Sequence, residues 1–286
     1  MTRIGGNDYL AQVGGGLTIG ALAAQVYDHL IHLSDEVEYL WSGRLTGVKV
    51  LYFGVRYAVL GAQIATQVMS FGRAGVHDGD LDRCRALLVV SLTTGVLASM
   101  MLEMILLLRV HALYYSSPSA KYLLCTIYPI VVASEMAGFT IILQGIKETQ
   151  SCDLCAASTP LGLVMFGISG GVFQVTIVAM TVAKLAFQAR RTPLMKMLLR
   201  DGVCIFLALT VIIFIQLVNQ GFDKNKAFER ACFAWYLAFI SIGGSSLLLS
   251  MRKLAVNSTT DRDLPRTWDS DGRSIESTIC LTTFID

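Results

Sequence analysis

The chain has 286 residues, of which 54% are hydrophobic and only 15% charged, and its mean hydropathy is +0.59. Soluble domains run nearer 25% charged, so the apolar excess must face something other than water. A formal net charge of +2 without a clustered basic stripe excludes a nucleic-acid partner, and seven scattered cysteines without paired CxxC motifs exclude a zinc ribbon.

A membrane span needs about 20 mostly apolar residues. Leu10–Leu33, Val48–Ser70, Ala86–Leu108, Tyr122–Gln144, Leu161–Phe187, Gly202–Gln220 and Ala231–Met251 all qualify. The expected fold is therefore all-α, a polytopic bundle of seven transmembrane helices across residues 10–251. Residues 1–9 read as a short extracellular N-terminus. The first run lacks a small-residue cleavage site and reads as a retained span, not a signal peptide. Residues 252–286 are polar and Ser/Thr-rich, and read as a disordered cytoplasmic tail. Lys and Arg concentrate after the first, third and fifth runs and in the tail, most densely in FQARRTPLMKMLLRD, Phe187 to Asp201. By the positive-inside rule that side is cytoplasmic, so the N-terminus lies outside.

The most polar apolar-flanked stretch is Tyr27 to Tyr57. On a helix Asp28, His32 and Asp35 fall at i, i+4 and i+7, on one face, whereas His29 points roughly 100° away from Asp28. The first two runs are joined by a short connection and form antiparallel neighbours. That brings Asp28 and Arg56 to similar depth below the cytoplasmic interface. An ion pair between them is expected, because an intramembrane charge normally has a partner; Glu36 and Glu103 compete for the same guanidinium. Asp28, His32, Asp35 and His111 also have the chemistry of zinc ligands, but no HExxH or equivalent motif accompanies them. Capping and ion pairing explain them more simply, so no metal and no other cofactor is expected.

Further along, Glu103 and Glu135 are acids inside spans, where a carboxyl must be protonated, paired or facing a wet cavity. With Gln216 and Asn219 they are the candidate buried polar or ligand-binding residues; Gln174, Gln220, Ser241, Ser245 and Ser246 add polar atoms that serve equally for interhelical hydrogen bonds. Gly16/Gly20 and Gly167/Gly171 stand at GxxxG spacing and mark expected close helix contacts, while Pro129 is expected to kink the fourth helix. The seventh run contains no lysine for a retinal Schiff base and no Asn-Pro pair, and Arg109 is not part of an acid-Arg-Tyr triplet.

Tyr27-Asp28, Leu33-Ser34-Asp35-Glu36-Val37, Trp41 and Arg56-Tyr57, within a block at about 9–60, resemble a fungal, mostly basidiomycete, seven-span family whose N-terminal block is a domain of unknown function. Leu108 to Tyr114, Leu199-Arg200-Asp201-Gly202 and Leu247 to Arg252 look like later parts of that family. The resemblance implies fold and membrane location and no activity. Topology and the Arg-rich fifth connection suggest a receptor-like or signalling role in the plasma membrane or a secretory-pathway membrane. Its partners would be the lipid bilayer and an unknown ligand or cytoplasmic partner. The alternatives are a membrane-embedded metal-dependent hydrolase using the first-helix cluster and a non-catalytic scaffold.

Cys84, Cys152, Cys155 and Cys232 all fall on the expected outer, oxidising side. Seven-span receptors often carry a bridge between the third helix and the outer loop, which corresponds here to Cys84 with Cys152 or Cys155. Two expectations test this map. Asn257-Ser258-Thr259, placed in the cytosol, stays unglycosylated although chemically competent; a glycan on Asn257 in glycopeptide mapping inverts the topology. Ser270, Ser274, Ser277 and Thr278 become phosphorylated, adding charge near Arg252 and Lys253 at the membrane surface; phosphoproteomics that covers the tail and finds no modified site counts against it.

Overall fold

An apolar run in lipid has no water to satisfy its peptide groups, so it must close its own hydrogen bonds as a helix. The computed structural model describes residues 4–41, 46–71, 81–114, 118–148, 160–188, 203, 205–215, 218 and 226–263, and among these it is helical with no strand. Helix α1 is Ile4–Tyr39. Helix α2 is continuous through three pieces: Gly47–Phe53, a π-helical turn at Gly54–Ala58, and Val59–Phe71. Helices α3, α4 and α5 are Leu81–Leu113, Pro118–Glu148 and Pro160–Gln188. Helix α6 is described over Ile205–Ile215, and α7 is Lys226–Asp263.

Five segments are long and apolar enough to cross a membrane: Gly47–Met69, Arg85–His111, Ala120–Ile146, Val164–Lys184 and Phe228–Arg252. This makes the chain a multi-pass integral membrane protein. α1 is long enough but carries acids and glycines that dilute its apolarity, and the described part of α6 is short. Helices also outrun the apolar segments that announced them. α1 begins at Ile4 inside the expected N-terminal segment, and α7 continues past Met251 to Asp263. Apolarity marks contact with lipid; helix propensity carries the backbone further. α4 runs through Pro129 and starts at Pro118, a position where a missing N–H costs nothing.

α7 is the central helix and the most deeply buried of the five spans. α1, α2 and α3 pack around it, α4 packs along α5, and α3 touches both groups. The main core joins Tyr52, Val55, Leu102, Ile105, Leu209, Ile240 and Leu247; a second joins Val110, Leu124, Val131, Phe173 and Ile177. Val164, Ile168, Val172, Val175 and Val182 on α5 are exposed, as expected of a lipid-facing stripe. Trp41 after α1 and Tyr122 near the start of α4 are exposed at the same end of the bundle, where amphipathic rings suit the membrane interface.

Close packing falls on glycines other than Gly16, Gly20 and Gly171. A Cβ on Gly138 would sit 2.9 Å from the Gly162 carbonyl oxygen, and one on Gly162 would sit 3.0 Å from the Gly138 carbonyl oxygen, so α4 and α5 cross backbone to backbone. Gly244 meets Val55, Gly54 meets Met101 and Gly95 meets Phe233 equally tightly, whereas Gly16 and Gly171 have open space beside them and Gly20 only grazes Trp235. Spacing shows where small residues are, not which face turns inward. Gly138→Val should therefore cost about 1–3 kcal/mol by overpacking, while Gly171→Ala should be neutral or stabilise by up to about 1 kcal/mol. Thermal unfolding of the purified chain in nanodiscs checks both; equal losses at the two positions contradict the assignment.

Candidate functional site

Arg56 occupies the π-helical turn of α2, about 14 Å from the start of that span by a rise of 1.5 Å per residue, and is 4% exposed. A π turn inserts one extra residue and re-aims the side chains that it carries. Arg56 points at α1. Its Nη1 donates to Asp28 Oδ2 at 3.1 Å and to Ser245 Oγ of α7 at 2.9 Å. Its Nη2 donates to the carbonyl oxygens of Asp28 and His29 at 3.2 and 3.3 Å, and its Nε to His29 Nδ1 at 3.0 Å. Nε also forms an ion pair with Glu36 Oε1. Guanidinium has only donors, so His29 Nδ1 is an acceptor and the ring carries its proton on Nε2.

Glu36 is fully buried, and its Oε2 accepts from Tyr57 Oη at 2.9 Å. Tyr57 meets the His29 ring edge-on at 5.0 Å, and the Arg56 guanidinium lies 5.8 Å from the Tyr52 ring centroid. His32 Nδ1 approaches Asp28 Oδ1 at 3.2 Å and the Asp28 carbonyl oxygen at 3.0 Å, so that nitrogen carries a proton. Asp28 and His29 thus both serve Arg56 despite pointing to different sides of α1. A guanidinium is broad enough to straddle two adjacent faces, so the helical-wheel separation did not keep them apart. Asp35 on α1 and His111 in the last turn of α3 each have an interaction partner. Among the described residues no group of three or more His, Cys, Asp or Glu side chains could hold a metal ion. At the end of α3 beyond the span, Tyr114 donates to the Met180 carbonyl at 2.8 Å and faces the Lys184 ammonium at 5.0 Å. Burial pushes its phenol pKa up.

A second polar centre lies between α3, α4, α5, α6 and α7. Glu103, named as a competitor for Arg56, instead faces Glu135, and the two carboxyls are hydrogen-bonded to each other. Each is 1% exposed. Together with Ser99, Phe166, Gly167, Gly170, Gln174, Ile213 and Tyr236 they line a cavity of about 40 Å³. Glu103 Oε2, Glu135 Oε2 and Gln174 Oε1 are buried without a hydrogen-bond partner among the described residues. A Cβ on Gly170 would come within 3.2 Å of Glu135 Oε1 and 3.7 Å of Glu103 Oε1, so the absence of a side chain there leaves room for the carboxyl pair. Gln216 and Asn219 lie outside the described residues. So do Cys152 and Cys155, and the side chain of Cys84; among the described residues Cys232, near the start of α7, has no disulfide partner.

The first centre belongs to a recognisable segment. The fold and its buried charges define a helical, multi-pass membrane protein, and residues 17–61 match a family of unknown function, DUF6533. That segment holds Asp28, His29, His32, Glu36, Tyr52, Arg56 and Tyr57, and so contains every partner of Arg56 named above except Ser245. No curated protein and no solved structure matches the chain significantly. Sequence reasoning did not single out Ser245, Tyr57 or Tyr236 for these centres; a serine or tyrosine on an apolar helix gives no signal of which neighbour it meets.

Because Arg56 has two acids, removing it should be worse than removing either. Arg56→Gln strands both carboxylates and should cost about 3–5 kcal/mol. Asp28→Asn should cost about 1.5–3 kcal/mol, a charged hydrogen bond, and Glu36→Gln more than Asp28→Asn, since Glu36 is fully buried and Asp28 is 15% exposed. The double change Asp28→Asn/Arg56→Gln should be less than additive. Unfolding midpoints and folded yield measure this; fully additive losses would falsify the coupling.

Proposed function

We propose that the chain is a receptor-like, non-enzymatic membrane protein of seven spans, with the N-terminus outside and the C-terminus cytoplasmic. In this reading it is a member of the basidiomycete family that its N-terminal block resembles, and it resides in the plasma membrane or a secretory-pathway membrane. The observation that carries the reading is the cavity of Glu103, Glu135 and Gln174. Three buried, unpartnered oxygens on residues that line one space inside a helical bundle are costly unless something engages them, and such a space between helices is where bundle proteins hold ligands. A metal-dependent hydrolase is disfavoured because the first-helix acids Asp28 and Glu36 are engaged by Arg56, so a metal would have to displace a guanidinium. A passive scaffold needs no such cavity.

A receptor transmits the state of its cavity to its cytoplasmic ends. Spin labels introduced as non-canonical residues at His111 and Lys184 report the spacing of α3 and α5 in nanodiscs. Between the native chain and Glu103→Gln/Glu135→Gln, the receptor reading expects the distance distribution to shift by about 1–2 Å or more, the size of helix shifts in switching proteins. Superimposable distributions favour the scaffold.

A further inference from the structure

The occupant that suits this cavity follows from its lining, given the preceding reading that the cavity is the functional site. Every polar group that lines it is an oxygen donor or an amide: Glu103, Glu135, Gln174, Ser99 and Tyr236, with no cationic side chain among the lining residues. The Ser99 hydroxyl proton is committed to the Val96 carbonyl at 2.9 Å, which leaves its lone pairs for another partner. Gln174 is 4% exposed, and its Oε1 is one of the unpartnered atoms. Oxygen ligands without nitrogen or sulfur suit hard cations.

Size and charge narrow the choice. A cavity of about 40 Å³ is far below the 300–1,000 Å³ or so of drug-sized ligand pockets and holds an ion with a water or two. Two carboxyls that hydrogen-bond each other must share a proton between them, because two carboxylates have no donor. The pair therefore holds one or two protons; entry of a cation releases the second, and the single negative charge that remains is balanced by the bound ion. A divalent ion would leave the site positive or expel the shared proton; a monovalent ion leaves it neutral.

We infer that the Glu103–Glu135 cavity is a binding site for a small monovalent cation, either an alkali ion or a compact ammonium group, held by Glu103, Glu135 and Gln174 with Ser99 and Tyr236 completing the shell. Gly170 is part of the site in a negative sense: any side chain there moves into the carboxyl pair.

The test is thermal unfolding of the full chain in nanodiscs at equal ionic strength, in sodium, potassium, methylammonium or N-methylglucamine chloride. N-methylglucamine is too large to enter. The small ions should raise Tm by roughly 3–6 °C over N-methylglucamine at about ten times Kd, and the rank of the three separates an alkali site from an ammonium site. The increment should vanish in Glu135→Gln and Glu103→Gln and shrink in Gly170→Ala, while Asp28→Asn, an acid outside the cavity, keeps it. A native Tm identical in all four salts overturns the proposal, as does an increment that survives in both glutamine variants. Should a variant not fold, the comparison of salts on the native chain still decides. The spin-label distances are read independently. A cation effect without movement of α3 and α5 rejects the receptor reading alone, and movement without a cation effect rejects the ion alone.

Discussion

A guanidinium cannot lose its proton inside a bilayer, and Arg56 is almost wholly buried. The packing of the first part of the chain is therefore a solution to one problem: surrounding that charge. α1 supplies two carboxylates, a ring nitrogen and two carbonyls, and α7 supplies a hydroxyl. These partners come from segments distant in sequence, so satisfying the guanidinium fixes three helices relative to one another. The apolar contacts below agree with that arrangement. Val55, beside Arg56, presses on Gly244, one residue before Ser245. A larger residue than glycine at 244 would push α7 away from α2 and lengthen the Ser245 hydrogen bond.

The other half of the bundle is held differently. α4 and α5 meet at Gly138 and Gly162 through their backbones, a contact based on shape and dispersion with no charge involved. α3 faces both halves. Leu102 and Ile105 pack toward Val55 and Gly244, while Glu103 turns toward Glu135 and Gly170. A change in the protonation or occupancy of the carboxyl pair therefore acts on a helix that also borders the Arg56 cluster. The two polar centres differ in kind: the first has more acceptors than its cation needs, whereas the second has acceptors beside a cavity and no cationic side chain among its lining residues.

Much of this was legible in the residues. Apolar runs announce helices because lipid leaves the backbone no other way to satisfy its peptide groups, and counting residues inward from a short connection puts Asp28 and Arg56 at one depth because the rise of a helix is constant. What the count could not supply is azimuth. The π turn at Gly54–Ala58 rotates Arg56, and no residue in Gly-Val-Arg-Tyr-Ala announces it. The roles of His29 and Glu36 depend on that rotation together with the breadth of the guanidinium.

The sequence by itself determined the helical membrane class, the approximate helix limits, and the presence of buried acids in the third and fourth helices, since all three depend on composition along one strand of chain. Only the tertiary structure decided that Glu103 meets Glu135 and not Arg56, that Gly138 and Gly162 rather than Gly16 or Gly171 carry a close crossing, and that Gln174 lines the cavity of the carboxyl pair. Each of these is a matter of which face of one helix turns toward which face of another. In a bundle surrounded by lipid almost every face is apolar, so the pattern along a helix records little of its rotation, and the rotation is set by packing across the whole bundle.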